Sequence, residues 1–382
     1  MRRPSSRSNG AIRSVLVLWA DNTAANLGLR AIAEGNARLI RDALDDSDVV
    51  VDFQGFGRGD SEVSFGTRAI LKDFGRANGP IKSKLRRYDL IFDSGAGDSL
   101  TDIYGLKRLS FIVYAHWMTR RLGLPLVLAP QTIGPFQTML GRFVARKSLG
   151  QAVVVLARDS VSATYSETVL GRRVDAVGTD VCFLLPAVAA PGTRDVIINV
   201  SGLLWFSDTH VDSEHYREQV ILLVRQLVGS GRRVSLLAHV VHSPSGNDDV
   251  DAVTDLVARL GPGVSVEILV PETLVEARAL LASGRIVVGA RMHACLNALS
   301  QAVPAIPWGY SRKFEPLLAD LGWTDVIDLR TNQRAAEATF GLIMEPGHQA
   351  RLEDSARRIP GVAQAAIDVS RQTLARALRG EY

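Results

Sequence analysis

The 382-residue sequence contains only two cysteines, Cys182 and Cys295, and few aromatic residues, at 6%. The cysteines lie far apart in apolar surroundings, so we expect neither a disulfide framework nor a thiolate metal site, and we expect a reducing compartment. Charge of one sign is also lacking, because 44 Lys and Arg against 40 Asp and Glu leave a net charge of +4. The basic residues are not clustered and interleaved with aromatic residues, so we expect no nucleic-acid partner.

The sequence also lacks hydrophobic runs long enough for a membrane-spanning helix or the core of a signal peptide. The first apolar run, Val15–Ala20, is short and follows a polar leader. We therefore expect a cytoplasmic protein. Its pI near 9.2 fits an anionic small-molecule substrate, and it equally fits a loose, peripheral association with the inner face of the membrane. The sequence does not indicate the oligomeric state.

Short apolar runs and helical patterns alternate along the chain, and 47% of the residues are hydrophobic. Asp89–Asp93 is typical of a strand, Tyr104–Leu122 of a helix, and Pro125–Ala129 of the next strand, which is followed by a turn at 130–136. The alternation restarts after a stretch rich in Pro, Ala and Gly near residue 190. This pattern predicts an α/β fold with two Rossmann-like domains and a cleft between them.

The same pattern predicts the domain boundaries. A flexible leader (1–10) precedes an N-terminal Rossmann-like domain (11–185). A linker (186–193) joins it to a C-terminal Rossmann-like domain (194–330). A helical tail (331–382), rich in Ala, Arg and Leu, follows.

The most informative stretch is RIVVGARMHACLNALS, at 285–300. The apolar run that ends at Gly289 predicts a buried strand, and the residues from Met292 predict a helix with an apolar face. Arg291 and His293 then lie where the carboxyl end of a strand meets the start of a helix. At that edge open α/β sheets bind ligands, and free N–H groups attract anions. A capping arginine and a packed histidine are the alternative, which is favoured for an isolated Arg-x-His.

Two strand ends in the first half also carry candidate residues. The loop at 95–98 either leaves room for a ligand or forms an ordinary strand-to-helix turn. Arg158 follows another apolar strand, where its guanidinium can fork onto a carboxylate or a phosphate. It can equally pair with Asp159 or Asp180.

In the second half, His239 follows a strand and is interpreted either as lining the substrate or as a surface group. Lys313 begins a helix, from which it either neutralises an anion or lies on the surface. No spacing of His, Cys and acidic residues suits a metal site, so we expect no metal. The sequence contains no Walker loop, no complete GxGxxG and no Ser-His-Asp order.

Several blocks of the sequence follow one another in a specific order and spacing. They are QTIGPF (131–136), ARDSVS (157–162), Asp180 before an apolar run, VGARMHA (288–294), and VPAI (303–306) followed by Tyr310 and Lys313. Taken together, these blocks resemble the polysaccharide pyruvyl transferase family over residues 89–329. The resemblance implies a glycosyltransferase-B-like fold, with phosphoenolpyruvate as co-substrate and no other cofactor. It also implies an acceptor side in the N-terminal domain, a donor side in the C-terminal domain, and a tail that packs back on the N-terminal domain.

The resemblance further implies roles for individual residues. Arg158 and Arg291 would bind the phosphate and carboxylate of the donor, and His293 would be the general acid. Met292 and Lys313 are expected in the donor site as well. The residues expected on the acceptor side are Gly95, Gly97, Asp98, Gln131, Asp180 and His239. Asp98 and Asp180 are also the candidates for the general base.

Two stretches depart from the family's usual pattern. The Asn/Gly-rich stretch with an Asp that usually follows the first strand reads DNTAANLG at 21–28, and the usual triple glycine reads SGAG at 94–97. Both lie in the half expected to hold the acceptor. They therefore bear on the acceptor's identity more than on the donor chemistry.

The residue types suit the implied reaction. Ketal formation needs a proton delivered to the methylene carbon of the donor, and a histidine near neutral pH is a suitable acid. Two arginines can orient a small molecule that carries two anionic groups. We therefore expect pyruvyl transfer to two hydroxyls of a sugar, free or lipid-linked, in a cell-surface polysaccharide or glycolipid precursor. A nucleotide-sugar glycosyltransferase of the same fold and a non-catalytic glycan-binding member are the alternatives.

Overall fold

The computed structural model describes residues 11–57, 63–95, 99–188, 192–243 and 246–381. Gly97 and Asp98, both expected on the acceptor side, lie outside the described residues. The chain divides into two compact units. Unit 1 comprises Met1–Thr23, Ile32–Leu184 and Ala365–Tyr382, and unit 2 comprises Ala24–Ala31 and Leu185–Gln364.

Unit 1 is built around a parallel sheet. Its described strands are β1 (Ser14–Leu18), β2 (Val50–Gln54), β3 (Leu90–Asp93), β4 (Ser99–Leu100), β5 (Leu126–Ile133), β6 (Val154–Ala157) and β7 (Ala176–Val177). The helices in this part of the chain are α1 (Leu27–Leu44), α2 (Thr67–Asp73), α3 (Pro80–Leu85), α4 (Leu106–Arg121), α5 (Met139–Leu149) and α6 (Ser160–Thr168). A 3₁₀ turn at Val181–Leu184 follows.

The strands of unit 1 lie in the order β2-β1-β3-β5-β6-β7, with β4 beside the end of β5. The chain moves from β1 to β2 and then returns to the other side of β1 for β3, so the strand order reverses between β1 and β3. β3, β5 and β6 are buried along their whole length. Such continuous apolar runs are expected where helices cover both faces of a parallel sheet.

One strand of unit 1 is longer than the sequence predicts. β5 continues to Ile133 through the stretch expected to be a turn. β4 pairs with this extension, and a register shift after Leu128 accommodates Pro130, which has no N–H to donate. The prediction of a turn at 130–133 is therefore wrong, and Gln131 lies within a buried strand.

Unit 2 contains the second parallel sheet. Its strands are β8 (Arg194–Asn199), β9 (Val234–Leu237), β10 (Glu267–Leu269), β11 (Gly284–Gly289), β12 (Ala305–Gly309) and β13 (Ile327–Asp328). The helices between them are α7 (Gly202–Trp205), α8 (Ser213–Gly229), α9 (Asp249–Leu260), α10 (Leu274–Ala282), α11 (Met292–Leu299) and α12 (Phe314–Asp320). Two helices follow, α13 (Ala335–Met344) and α14 (Pro346–Leu378).

The strands of unit 2 lie in the order β10-β9-β8-β11-β12-β13, and their recorded pairs are parallel. In chain order this is 3-2-1-4-5-6, the Rossmann arrangement, in which ligands bind at the carboxyl ends of the strands where the order reverses. In unit 2 that point lies between β8 and β11. The predicted α/β fold with two Rossmann-like sheets is confirmed.

The end of the chain is helical, as its composition predicts. α14 runs for 33 residues and continues through Pro360. Its residues up to Gln364 group with unit 2, and those from Ala365 group with unit 1. Within the described ranges, no helix has both the length and the apolar character needed to cross a bilayer.

Candidate functional site

The strand-to-helix seam predicted from the sequence lies in unit 2 as expected. β11 ends at Gly289, opposite the end of β8, and α11 begins at Met292. Arg291 is the residue before the helix and has extended backbone angles. The side chain of Arg291 has no hydrogen-bond acceptor, so it does not cap the first N–H groups of α11. Met292 and His293, in the first turn, are half-buried.

Arg291 is buried and forms an ion pair with Asp249, the first residue of α9. Its Nη2 donates to the carboxylate at 2.7 Å and its Nε at 3.2 Å, and Nη2 also donates to the carbonyl of Asn247 at 2.8 Å. Among the described residues, these are the hydrogen bonds found for its guanidinium. Burial opposes the charge of Arg291, but the carboxylate of Asp249 outweighs it and raises the pKa of Arg291.

Asp249 is fully buried and connects three loops of the sheet edge. Besides Arg291, its carboxylate accepts the N–H groups of Gly202 at 2.8 Å, and of His239 and Val240 at 3.0 Å each. These donors satisfy a carboxylate that would otherwise be costly to bury. Asp249 therefore holds the loops after β8 and β9 and the start of α11 in one arrangement.

His293 lies against the first turn of α1. A Cβ atom built on Gly28 would stand 2.8 Å from the Cβ of His293 and 2.9 Å from its Nδ1. The segment around Gly28 is anchored to the edge of the sheet, because Leu27 donates its N–H to the carbonyl of His239 at 3.1 Å. Asn26 also forms a β-bridge with Val240. A glycine is therefore needed where α1 approaches the imidazole.

His239 is fully buried in the same region. Within the described residues, neither ring nitrogen has a hydrogen-bond partner. Burial, followed by the charges of His293 and Arg291, lowers the pKa of His239 to about 3. His239 is therefore a neutral imidazole at physiological pH, held beside the two residues that the sequence predicts to act on the donor.

The end of β12 adds Tyr310 and Lys313 to unit 2. Tyr310 is half-buried, and its ring contacts those of His210 and Phe314 at 5.0 and 5.5 Å between centroids. Burial lowers the pKa of Arg291, and Tyr310 contributes to raising it, after the larger effect of Asp249. Lys313 is half-buried and directly precedes α12.

The candidate residues of unit 1 form a second group. Arg158 is buried, and its Nη1 donates to Asp180 at 3.0 Å while its Nη2 donates to Thr132 at 2.8 Å. Of the two interpretations of Arg158, the structure shows the ion pair with Asp180. Asp159 instead caps α6, since it accepts the N–H of Ser162 at 2.7 Å.

Gly95 and Gln131 complete this group. Gly95 has a positive φ of 66°, and a Cβ there would collide with the Oε1 of Gln131. Gln131 lines a small cavity together with Arg158 and Asp180. Its volume of about 10 Å³ corresponds to a single water molecule rather than a sugar. The Nε of Arg158 and the Oε1 of Gln131 are both buried without partners in the described parts of the chain.

The sequence matches the model of one protein family, described as polysaccharide pyruvyl transferase, over residues 26–312. The chain belongs to the polysaccharide pyruvyl transferase family. The match confirms the resemblance noted in the sequence, and it contains Arg158, Arg291 and His293 but ends one residue before Lys313. No curated protein matches the sequence.

Solved structures of nucleotide-sugar enzymes share the fold. Staphylococcus aureus MnaA with UDP superposes with a TM-score of 0.59 at 10% identity, covering 92% of this chain and 94% of that one. A putative UDP-N-acetylglucosamine 2-epimerase from Listeria monocytogenes gives 0.55 at 12% identity, with 93% and 94% covered. Anabaena Alr3699/HepE with UDP and glucose gives 0.53 at 14%, with 96% and 98% covered. These likenesses confirm the glycosyltransferase-B-like fold and, at such identities, show the fold alone.

Within this family member, the structure assigns the candidates to two groups. Arg291, Met292, His293, Lys313 and His239 belong to unit 2, and Gly95, Gln131, Arg158 and Asp180 belong to unit 1. His239 was expected on the acceptor side, yet it lies beside His293 and Arg291.

Sequence reasoning missed two residues of the site. Asp249, which pairs with Arg291, was not among the predicted site residues. Gly28 lies in a stretch that departs from the family pattern and was expected with the acceptor, but this part of the chain belongs to unit 2. The sequence signal that could have indicated Gly28 is a glycine within a polar stretch that contains Asn.

Proposed function

We propose that this pyruvyl transferase family member transfers a pyruvyl group from phosphoenolpyruvate to two hydroxyls of one sugar, in a polysaccharide or glycolipid precursor. The observation that carries the proposal is the position of His293. It stands half-buried in the first turn of α11, after β11, at the carboxyl edge where the strand order of unit 2 reverses. At such an edge a bound anion meets the N–H groups of a helix start.

The proposed reaction uses His293 as a general acid. Its imidazolium gives a proton to the methylene carbon of the donor, and the adjacent carbon becomes electrophilic. The first sugar hydroxyl attacks that carbon and loses its proton to a base. The second hydroxyl then displaces phosphate, which carries away the second proton. A donor bound beside His293 favours the charged imidazolium, because its negative charges lie close to the ring.

The contacts of Arg291 determine how it would serve the donor. Two of its nitrogens are engaged by Asp249 and Asn247, so much of its charge is balanced inside the protein. We assign Nη1 to the donor, with the N-terminus of α11 and Lys313 supplying further positive potential. Arg291 would thus offer the donor one nitrogen in a fixed direction, rather than a guanidinium with two available nitrogens.

The neutral state of His239 suits hydrogen bonding to the reactants rather than charge neutralisation. Since its ring lacks partners among the described residues, a bound hydroxyl or carboxylate would satisfy a nitrogen that is otherwise buried at a cost. We assign His239 to the proposed site as such a neutral hydrogen-bonding group.

The proposed acceptor side is unit 1, with Gly95, Gln131 and Asp180, and Arg158 is proposed as the second donor ligand on the strength of the family resemblance. The carboxylate of Asp180 already accepts from Arg158 and from the N–H of Cys182. To act as a base, Asp180 would have to give up these hydrogen bonds. We therefore assign Asp180 to positioning Arg158 rather than to the base.

The test is a phosphate-release assay with phosphoenolpyruvate and a panel of p-nitrophenyl and lipid-linked sugars. We expect release that depends on both the sugar and His293, and a product whose mass is increased by one pyruvyl ketal. UDP-sugars are supplied in parallel, because the structural neighbours include complexes with UDP. Release of UDP without phosphate release from phosphoenolpyruvate would overturn the proposal and favour a nucleotide-sugar enzyme. Saturable sugar binding with no turnover of either donor would favour a glycan-binding member.

A further inference from the structure

One surface of unit 1 exposes several large apolar side chains close together. It is formed by α4 and α5, which pack side by side, and we call it the α4–α5 face. Met139 is 86% exposed, Phe143 59% and Leu140 58%, all on α5. Trp117 on α4 is 42% exposed. Contiguous exposed apolar side chains of this size mark interaction sites rather than ordinary surface.

The α4–α5 face is grooved. A cavity of about 360 Å³ opens on it. The apolar lining residues include Leu106, Leu109, Val113, Trp117, Leu140 and Val144. The groove therefore suits a hydrocarbon chain and offers little to a sugar, whose hydroxyls would lose hydrogen bonds to water there.

The two helices that form this groove carry charged side chains of one sign. α4 carries four basic residues and α5 three, and neither helix contains an Asp or a Glu. The whole chain is almost balanced, with 44 basic and 40 acidic residues. The asymmetry is therefore a property of this face and complements an anionic partner.

A second, cationic pocket adjoins the apolar groove and shares Tyr114 and Trp117 with it. Its volume is about 490 Å³, and its lining includes Arg76, Arg86 and Arg121. Arg86 is held by Asn78 and Ala77, whereas the other two are exposed side chains. A tryptophan between an apolar and a cationic surface is the arrangement found at the boundary of a bilayer, where the ring sits at headgroup level.

We propose that the α4–α5 face docks this protein on an anionic lipid bilayer. The groove takes a lipid acyl chain, the adjoining pocket takes a headgroup phosphate, and Met139, Leu140 and Phe143 insert into the interface. A bilayer is favoured over a protein partner because the three parts of this surface follow one another as the layers of a bilayer do. The apolar groove corresponds to the acyl chains, the tryptophan at the boundary to the interface, and the cationic pocket to the headgroups. This inference does not depend on the reaction proposed above, since it concerns a surface that contains none of the proposed site residues.

The test is co-sedimentation of the full-length protein with vesicles of phosphatidylglycerol and phosphatidylcholine, compared with vesicles of phosphatidylcholine alone. We expect binding to the anionic vesicles only, and weaker binding as salt is raised. Leu140→Ser/Phe143→Ser should weaken binding by at least about tenfold, because two large apolar side chains no longer enter the interface. Arg76→Gln/Arg121→Gln should weaken it by roughly fivefold for each cation removed.

The matched control is Ile268→Ser/Val275→Ser in unit 2, which removes two apolar side chains that are 51% and 63% exposed. It should bind vesicles as the wild type does. All positions changed are on the surface, and equal melting temperatures verify that each variant is folded. Absence of vesicle binding by the wild type, or equal loss in the control, would overturn the proposal. So would a Leu140→Ser/Phe143→Ser variant that still binds vesicles but changes from dimer to monomer in sedimentation velocity, since the face would then join two copies of the chain.

Discussion

The approach of α1 to His293 predicts a large effect for a very small substitution, Gly28→Ala. The added methyl group would stand 2.8 Å from the Cβ of His293 and 2.9 Å from its Cγ and Nδ1. These atoms belong to the base of the side chain and to its ring, so a rotation of the imidazole cannot relieve all three contacts. Either His293 or the first turn of α1 must move.

The size of the effect follows from the geometry. Ordinary contact begins at 3.4 Å, so the two must separate by about 0.6 Å. Misplacing a catalytic group by about 1 Å can cost on the order of 10²-fold in rate. We therefore expect Gly28→Ala to lower turnover by about 10- to 10²-fold. Overpacking costs about 1–3 kcal/mol, partly offset by the roughly 0.5–1 kcal/mol that Ala gains over Gly in a helix.

Gly341→Ala is the matched control, because Gly341 also lies inside a helix but, its own helix backbone and chain neighbours apart, has no atom within 4 Å of the position of a Cβ. It should keep full turnover and become slightly more stable. The assay is phosphate release from phosphoenolpyruvate with the best acceptor, together with thermal unfolding. If Gly28→Ala turns over within about threefold of the Gly341→Ala control, the position of His293 is not critical and the reasoning fails.

Three further predictions concern the unit 2 site. His293→Ala should lose roughly 10²–10⁴-fold in turnover and keep its melting temperature and, within about tenfold, its donor affinity; near-normal turnover would remove His293 from the mechanism. The pKa of His239 is about 3 in the folded protein and 6.5 when unfolded. Its contribution to the free energy of unfolding is therefore complete above pH 6.5 and is lost as the pH falls toward 3. Between pH 6.5 and 5, urea unfolding should therefore show a loss of about 2 kcal/mol in the wild type that His239→Gln lacks, whereas equal pH slopes would contradict the assignment. Arg291→Ala leaves the buried carboxylate of Asp249 without its cation and should cost about 3–5 kcal/mol of unfolding free energy, and an unchanged denaturation midpoint would show that the ion pair does not form.

At the edge of unit 2, where the reaction is proposed to take place, buried polar groups hold one another in position. Asp249 receives N–H groups from the loops after β8 and β9 as well as the guanidinium of Arg291. Because each of these donors would be costly to leave unpaired, the loops have few alternative arrangements. His293, in the turn that follows Arg291, is thereby placed at a defined point of the sheet edge.

Unit 1 contains a comparable buried chain of polar groups. His116 hydrogen-bonds to Asp93 and to Ser148, and the three side chains are each about 1% exposed. The hydrogen-bonding pattern of these three residues resembles that of a hydrolase triad, but no substrate reaches groups so deeply buried. Burial opposes the charge of Asp93, and the charge and hydrogen bond of His116 outweigh it, lowering the pKa of Asp93. These hydrogen-bonded side chains therefore support the sheet beside Gly95.

Much of the fold was predictable because its signals are local. A buried strand shows itself as an apolar run and an amphipathic helix as a period of 3.6, and neither needs information from distant residues. The run ending at Gly289 and the helix starting at Met292 were found in this way. The local signal misled at β5, where Pro130 indicates a turn, because pairing with β4 extends the strand.

The sequence by itself determined that the chain is an α/β protein of two Rossmann-like sheets, that it resembles the pyruvyl transferases, and that Arg291 and His293 stand at a strand-to-helix seam. Only the tertiary structure decided what surrounds them. Arg291 meets Asp249 across 42 residues, His293 meets Gly28 from the far end of the chain, and the ring of His239 becomes buried and neutral beside both. Such pairings depend on which loops the strand order of the sheet brings to one edge. In a parallel sheet the residues that meet at this edge are distant in sequence, so no periodic pattern or fixed spacing in the sequence reveals them.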